Sequence, residues 1–408
     1  MLFDIFFSIC QTEAGGVIPS ERVMFENFFE QVLAADRLGF GTAWVAESHL
    51  SCEVQKRNPA PVIPHFKGEI AVNVDFLQLA QKVFSRTERI HMGSAVLNIL
   101  CNGGPIAQAE RIRLFLTLHG LNEVEKRHIE VGFAAGRFPF INVPYGVVPR
   151  SPVEAAAWSV VKNKIFRQAT EIFLRLLRGE VLSSDDIEPL VLARGDFRRD
   201  EEWQQVLAAH GRQAAEIRLP NFYHFPHLAI VPRETGLDLL RLTIGSHDPE
   251  VQGFANTFLP VGVFNLSITP SDIIESTNRR MQAAYHPDGG PWKRAFMPRT
   301  VLVFINEDPG VERDERLKRA AATAEGALQN YWRALEGTID PEKVRQAVSN
   351  ALVGDAQTIV EQIRERFHVE DRLMLWFDFN DHNSKQIVRS MELFMESVAP
   401  HFQGALVP

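Results

Sequence analysis

Short apolar runs and helical stretches alternate along nearly the whole chain, and few folds accommodate that alternation. Residues 2–9 are apolar and end at a glycine-containing loop, so they read as a buried strand. A helix follows. Ser20 suits its N-cap, Glu21 its first turn and Gly39 the position just past its end, while Phe25, Phe28, Phe29, Val32 and Leu33 share one face. Residues 42–46 read as the next strand, which completes a βαβ unit and implies a parallel sheet. Further strands are expected at 90–96, 129–133, 239–244, 261–264, 300–305 and 373–377, nearly all separated by helical sequence. The helices include 73–85, 105–118 and a long one at 152–178; the last carries Ile387, Met391, Phe394, Met395 and Val398 on one face. Eight βα units predict an α/β protein, a single TIM (β/α)8 barrel. The 408 residues exceed the ~250 typical of that fold. The excess is assigned to a long proline-containing loop at 48–71, an insertion within the barrel at 180–235 holding one helix near 200–214, and an extended helical stretch after the seventh strand. Residues 1–408 are thus expected to form one barrel. A doubly wound dinucleotide fold is disfavoured, because no G-x-G-x-x-G follows a strand and no G-x-x-x-x-G-K-[ST] occurs.

Charge and composition narrow the function. The formal charge of −8 excludes a general nucleic-acid role, for which a basic surface is the norm. Cys10, Cys52 and Cys101 lie far apart with no C-x-x-C, and no H-E-x-x-H or comparable pair appears, so neither a disulfide framework nor a metal site is expected. The N-terminus lacks a basic region and no apolar stretch approaches the ~18 residues of a membrane span, which points to a cytoplasmic protein with no membrane partner. Phenylalanine is in excess, 29 against 4 Tyr and 6 Trp. Phe fills space without a polar handle, so the excess suggests an unusually dry volume, although most of these rings are expected to be ordinary core.

In a TIM barrel the chemistry sits at the C-terminal ends of the strands. That rule selects Glu47-Ser48-His49 after the second strand, Gly93-Ser94-Ala95-Val96 in the third, Ala134-Ala135-Gly136-Arg137 after the fourth and Gly245-Ser246-His247-Asp248 after the fifth. Residues 38–49, residues 89–96 with Pro105 and Gln108-Ala109-Glu110-Arg111, Val353-Gly354-Asp355 and residues 390–400 together resemble the bacterial luciferase-like flavin-dependent oxidoreductases. The resemblance covers about 1–180 and 238–403.

The resemblance implies a barrel that binds reduced FMN, or a related deazaflavin, at the strand ends. Such chemistry belongs to the cofactor, and the protein supplies binding, orientation and water exclusion. It places the FMN phosphate at Ser246, with Gly245 and His247 beside it, where a helix N-terminus favours an anion; alternatively Ser246 simply caps that helix. Asp248 is expected to point outward. Arg167 matches a phosphate-binding arginine or is a solvated helix residue. A second arginine of the pattern is replaced by Ala135, and Arg137 is the candidate substitute. Ser48 stands where the luciferases have their catalytic histidine, leaving His49 as the proton-transfer group, with Glu47 to orient it. A non-proline cis peptide is expected at Ala95–Val96. His65, Phe66, Phe222, Tyr223 and His224 are candidate pocket residues.

The reading that follows is a two-component monooxygenase taking reduced FMN from a separate flavin reductase and using molecular oxygen on a small organic substrate. A deazaflavin-dependent hydride-transfer enzyme and a non-catalytic flavin-binding protein are the alternatives. Light emission is not implied, since Ser48 and Ala135 depart from the luciferase pattern. A homodimer built on the early barrel helices is the family expectation.

Overall fold

In the computed structural model, which describes residues 1–334, 342, 347 and 349–402, the chain opens with β1 (Leu2–Phe7) and the helix Glu21–Leu38. Part of the stretch after the seventh expected strand, and residues 403–408 at the end of the barrel assigned to 1–408, lie outside the described residues. Local chemistry sets the bounds of the first helix. Ser20 is extended and its hydroxyl accepts from the Val23 N–H at 3.3 Å, while Gly39 closes the helix at φ 87°, a left-handed angle that glycine tolerates best. The buried stripe is Met24, Phe28, Gln31, Val32 and Ala35, one step round from the expected face. Phe25 and Phe29 flank it and Leu33 is exposed. The helix also packs on the helix Ser384–Ser397, where Gln31 meets Ser384 Oγ at 3.4 Å, and this second neighbour turns the stripe.

The eight expected strands appear with their ends moved by a few residues. After β1 come β2 (Thr42–Val45), β3 (His91–Asn98) and β4 (Ile129–Ala134). Two short strands in the 180–235 region, β5 (Leu190–Ala193) and β6 (Glu216–Leu219), form a separate antiparallel pair. The barrel resumes with β7 (Leu240–Ile244), β8 (Gly262–Val263) and β9 (Arg299–Ile305), then β10 (Leu352–Gly354) and β11 (Arg372–Trp376). All pairings in the main sheet are parallel, in the order β10-β9-β11-β1-β2-β3-β4-β7-β8. A parallel bridge between Asn265 and Arg299 joins the end of β8 to β9. There the Asn265 N–H donates to Pro298 O at 2.9 Å and Asn265 O accepts from the Thr300 N–H at 3.0 Å. That bridge turns β1, β2, β3, β4, β7, β8, β9 and β11 into a ring, and β10 extends β9 outside it.

Three elements differ from expectation. The helix expected at 152–178 is two helices, Pro152–Ala156 and Trp158–Leu177, separated at Ala157. The β5–β6 pair was not anticipated: each strand is four residues long, too short for its periodicity to register. The same holds for the three residues of β10.

The barrel floor is polar and tightly paired. Arg372 Nε lies 2.6 Å from Asp4 Oδ2 and its Nη2 2.7 Å from Glu130 Oε2, and Asp4 also accepts from Trp44 Nε1 at 2.7 Å. Gly93 is required beside this group, since a Cβ there would stand 2.5 Å from the Trp44 ring. Above the floor, Phe6, Trp44, Phe264 and Met374 pack with Ala46, Ala95, Val96 and Trp376. Above these in turn, Cys52, Ile63 and Phe66 of the long loop gather Cys10, Phe138, Phe140 and Tyr331 into a second apolar cluster. Cys10 and Cys52 are shielded from water, which pushes their thiols up to about 11 and about 12. Among the described residues no helix is long and apolar enough to cross a membrane, and no group of three or more His, Cys, Asp or Glu side chains could hold a metal ion.

Candidate active site

The strand ends bring the sequence candidates from β2 and β3 together. Glu47 and His49 follow β2 and are both buried, with His49 Nε2 3.2 Å from Glu47 Oε1. The second Glu47 oxygen accepts from the Phe76 N–H at 2.8 Å, at the start of the helix Phe76–Phe84. Asp75 caps that helix and is ion-paired with Arg111, so Glu47 is held between a strand end and a helix start. A carboxylate only accepts, so its neighbour Nε2 carries a proton and Nδ1 is the imidazole nitrogen left for a ligand. Ser48 is buried between them, its backbone N–H donating to Asn73 O at 3.1 Å. Cys101, near Glu47, is pushed up to about 12 by burial, then by the Glu47 charge, and is inert as a nucleophile.

On β3 the register breaks between Ser94 and Leu97, and the Ala95–Val96 peptide is cis, as expected. Gly132 on β4 leaves room for this bulge, because a Cβ there would stand 2.3 Å from Ser94 O and 3.3 Å from Thr243 Oγ1. Ser94 Oγ, Thr243 Oγ1 and Asn265 Oδ1 are shut off from solvent without a hydrogen-bond partner among the described residues. Buried polar groups without partners are costly, and three of them around one barrel mouth suit a polar heterocycle.

The phosphate candidates are arranged differently from expectation. Ser246 does not open a helix. The helix is Pro249–Ala255, its N-cap is Asp248, and the Asp248 carboxylate accepts from the Glu250 N–H at 2.9 Å. Ser246 Oγ instead accepts from the Asp248 N–H at 3.2 Å, and Gly245 and His247 are exposed beside it. His247 Nε2 lies 3.4 Å from Thr269 Oγ1. A proline at the first helical position and aspartate at the cap satisfy the helix end locally, which is why the serine is displaced from it. Arg167 is ion-paired with Glu188 at 2.5 Å and lies over the Phe254 ring at 3.7 Å. Ala135 is half buried, and Arg137 is exposed over Phe138.

Sequence reasoning missed Lys162. It lies near the start of the helix Trp158–Leu177, with Nζ 3.4 Å from Gly136 O, on the loop after β4 and next to the β7 loop that carries Ser246. Lys164, Arg167 and Arg175 of the same helix are each paired with a carboxylate. Lys162 shows no carboxylate partner among the described residues, and burial lowers its pKa. A half-buried cation of this kind is stabilised by a bound anion. Its only sequence signal was a lysine five residues before the expected arginine.

The pocket candidates divide. Phe66 is buried in the apolar cluster of the long loop, whereas His65 and His224 are exposed. The insertion places Tyr223 over the strand ends, where its ring would be 3.7 Å from a Cβ on Gly104. Its hydroxyl is buried without a partner among the described residues, and burial raises its pKa. Phe222 packs against it at 5.1 Å.

No protein-family model matches the chain, and no curated protein matches it in sequence. Solved structures do. The monooxygenase RslO1 from Streptomyces bottropensis aligns over 98% of this chain and 100% of its own, with a TM-score of 0.67 and 17% identity. The oxygenating constituent of 3,6-diketocamphane monooxygenase from Pseudomonas putida, a type II Baeyer–Villiger monooxygenase in complex with FMN, aligns over 100% and 99% with a TM-score of 0.57 and 16% identity. An F420-dependent secondary alcohol dehydrogenase aligns over 97% and 98% with a TM-score of 0.55 and 13% identity. At these identities the likeness is one of fold. The chain shares with these structures the (β/α)8-barrel fold that the sequence resemblance implied.

Proposed function

We propose that the chain is a flavin-dependent monooxygenase that takes reduced FMN from a separate reductase and uses molecular oxygen on a small organic substrate. The observation that carries this reading is the pairing of buried polar atoms around the barrel mouth with a lysine at its edge, the former without a hydrogen-bond partner and the latter without a carboxylate partner among the described residues. Ser94, Thr243 and Asn265 would meet the polar edge of a flavin, and Lys162 with Ser246 would hold its phosphate. When bound, reduced flavin supplies the electrons that activate oxygen. The protein's own part is to exclude water and place a proton. The apolar cluster of Cys52, Ile63, Phe66, Phe138 and Tyr331 covers the mouth, and the Glu47–His49 pair holds an exchangeable proton at a defined nitrogen.

Likeness of fold to an FMN complex of an oxygenating component and to RslO1 supports the same reading. A second reading, deazaflavin-dependent hydride transfer with His49 as the acid–base group, is favoured by the buried Glu47–His49 pair and by the fold of the F420-dependent dehydrogenase. A titration separates them. The monooxygenase reading expects reduced FMN to bind and its re-oxidation by air to slow; binding of F420 with no binding of reduced FMN would refute it. We also propose a homodimer through the helix Gly104–His119, whose Leu114 and Leu118 are half exposed on one side. A monomeric mass in sedimentation would refute that.

A further inference from the structure

Ser246 has lost the helix end to Asp248, so its loop after β7 is fixed from another side. Gln252 of the helix Pro249–Ala255 is fully buried, and its Nε2 donates to Ser246 O at 2.7 Å. Its Oε1 accepts from Arg280 Nη2, on the neighbouring helix Ser271–Ala284. The backbone of Gln252 is held as well: its N–H donates to Asp248 O at 3.1 Å and its carbonyl accepts from Asn256 Nδ2 at 3.0 Å. A guanidinium only donates and a backbone carbonyl only accepts, so the side-chain amide between them has one orientation. Arg280 thus sets which way the Gln252 amide faces, and the amide sets where the Ser246 carbonyl is held.

Arg280 is half-buried, and its remaining contacts are neutral. Nη2 lies 3.3 Å from Thr277 Oγ1, and no carboxylate pairs with the guanidinium among the described residues. Arg167, by contrast, is paired with Glu188. Charge arithmetic gives this a meaning. A phosphate monoester carries about −1.5 to −2 at neutral pH. Asp248 adds a carboxylate on the same loop, and Lys162 alone does not balance the two. Arg280, one amide behind Ser246, brings a second positive charge to a place where water screens it only in part.

We propose that Arg280 is a positioning residue of the phosphate site: through the Gln252 amide it holds the Ser246 loop, and its charge backs that of Lys162. The proposal rests on the flavin reading of the barrel mouth and concerns only the phosphate end of the ligand. A role in folding alone would act on any flavin, whereas this role acts only on one that carries a phosphate.

Reduced FMN and reduced riboflavin, which lacks the phosphate, are titrated anaerobically into the full chain by calorimetry. Arg280→Met is expected to weaken FMN about tenfold and to leave riboflavin within about twofold, as for a lost charge-assisted contact behind the phosphate. Arg280→Lys, which keeps the charge and a donor, should restore most of the FMN affinity. Gln252→Leu leaves the charge but cuts the link to Ser246, and should weaken FMN severalfold with riboflavin again unchanged. An unchanged FMN affinity in Arg280→Met, an equal loss of both flavins, or an unaffected FMN affinity in Gln252→Leu would overturn the proposal while the flavin reading stands. Failure of both flavins to bind the unaltered chain would overturn that reading and the proposal with it.

Discussion

Replacing Arg372 by methionine tests the reasoning about the barrel floor most severely. Its guanidinium lies between Asp4 and Glu130, donates to Thr42 Oγ1 at 2.8 Å, and is almost fully enclosed. Beside it Glu130 is held down at about 2 from an ordinary 4.5, with burial opposing the shift. That shift corresponds to about 3 kcal/mol favouring the charged carboxylate. Asp4 is raised, because burial outweighs Arg372 there. Methionine keeps much of the arginine stem's packing but leaves two enclosed carboxylates facing each other. Breaking such a network from one side costs about 3–5 kcal/mol.

The pH dependence follows from the same groups. In the native chain the Glu130 contribution is complete above about 4.5 and is lost as pH falls toward about 2. In the variant both carboxylates are raised instead, so stability should recover as pH falls from 7.5 to 5.5 and they take up protons. Urea unfolding followed by far-UV circular dichroism at the two pH values reads both effects. The penalty is expected to be about 3–5 kcal/mol at pH 7.5 and clearly smaller at pH 5.5. Adding Asp4→Asn and Glu130→Gln should recover most of it, since no buried charge then remains. A penalty under about 1 kcal/mol, or one identical at both pH values, would show that the network is hydrated and the argument wrong.

The other predictions concern the site. Lys162→Met should weaken reduced FMN about 10- to 100-fold by fluorescence titration without lowering the melting temperature, as expected for a lost charge-assisted contact of about 1.5–3 kcal/mol; unchanged binding would move the phosphate elsewhere. His49→Ala should leave flavin affinity within about twofold and lower turnover about 10²- to 10⁴-fold once a substrate is in hand, and full activity would remove His49 from proton transfer. Gly93→Ala forces a Cβ into the Trp44 ring and should cost about 1–3 kcal/mol by denaturant midpoint, whereas a neutral result would mean that the ring shifts freely.

Much of the fold was legible because it is written in local patterns. Periods of two and 3.6 residues, with caps such as Ser20 and Gly39, mark alternating strands and helices without reference to the rest of the chain. Eight such units admit few closures, so the barrel could be inferred before any contact was known. The candidates after β2 and β3 were legible for the same reason, since strand ends locate them.

What only the tertiary structure decided are pairings between residues far apart in sequence. Lys162 and Arg167 are two basic residues of one helix, and nothing local distinguishes them. The fold gives Arg167 a carboxylate, Glu188, and leaves Lys162 beside Gly136 with none among the described residues. Asp378 carries no local signal, and its burial, which raises its pKa, comes only from the fold, where the Ser8 N–H of the loop after β1 meets it. Ser246 lost its place at a helix start to Asp248, a choice between two capping residues only two positions apart. Periodicity and capping are properties of a short segment, so the sequence determines them by itself. Burial, charge compensation and an unmet hydrogen bond depend on what the folded chain brings alongside, and they exist only once the barrel has closed.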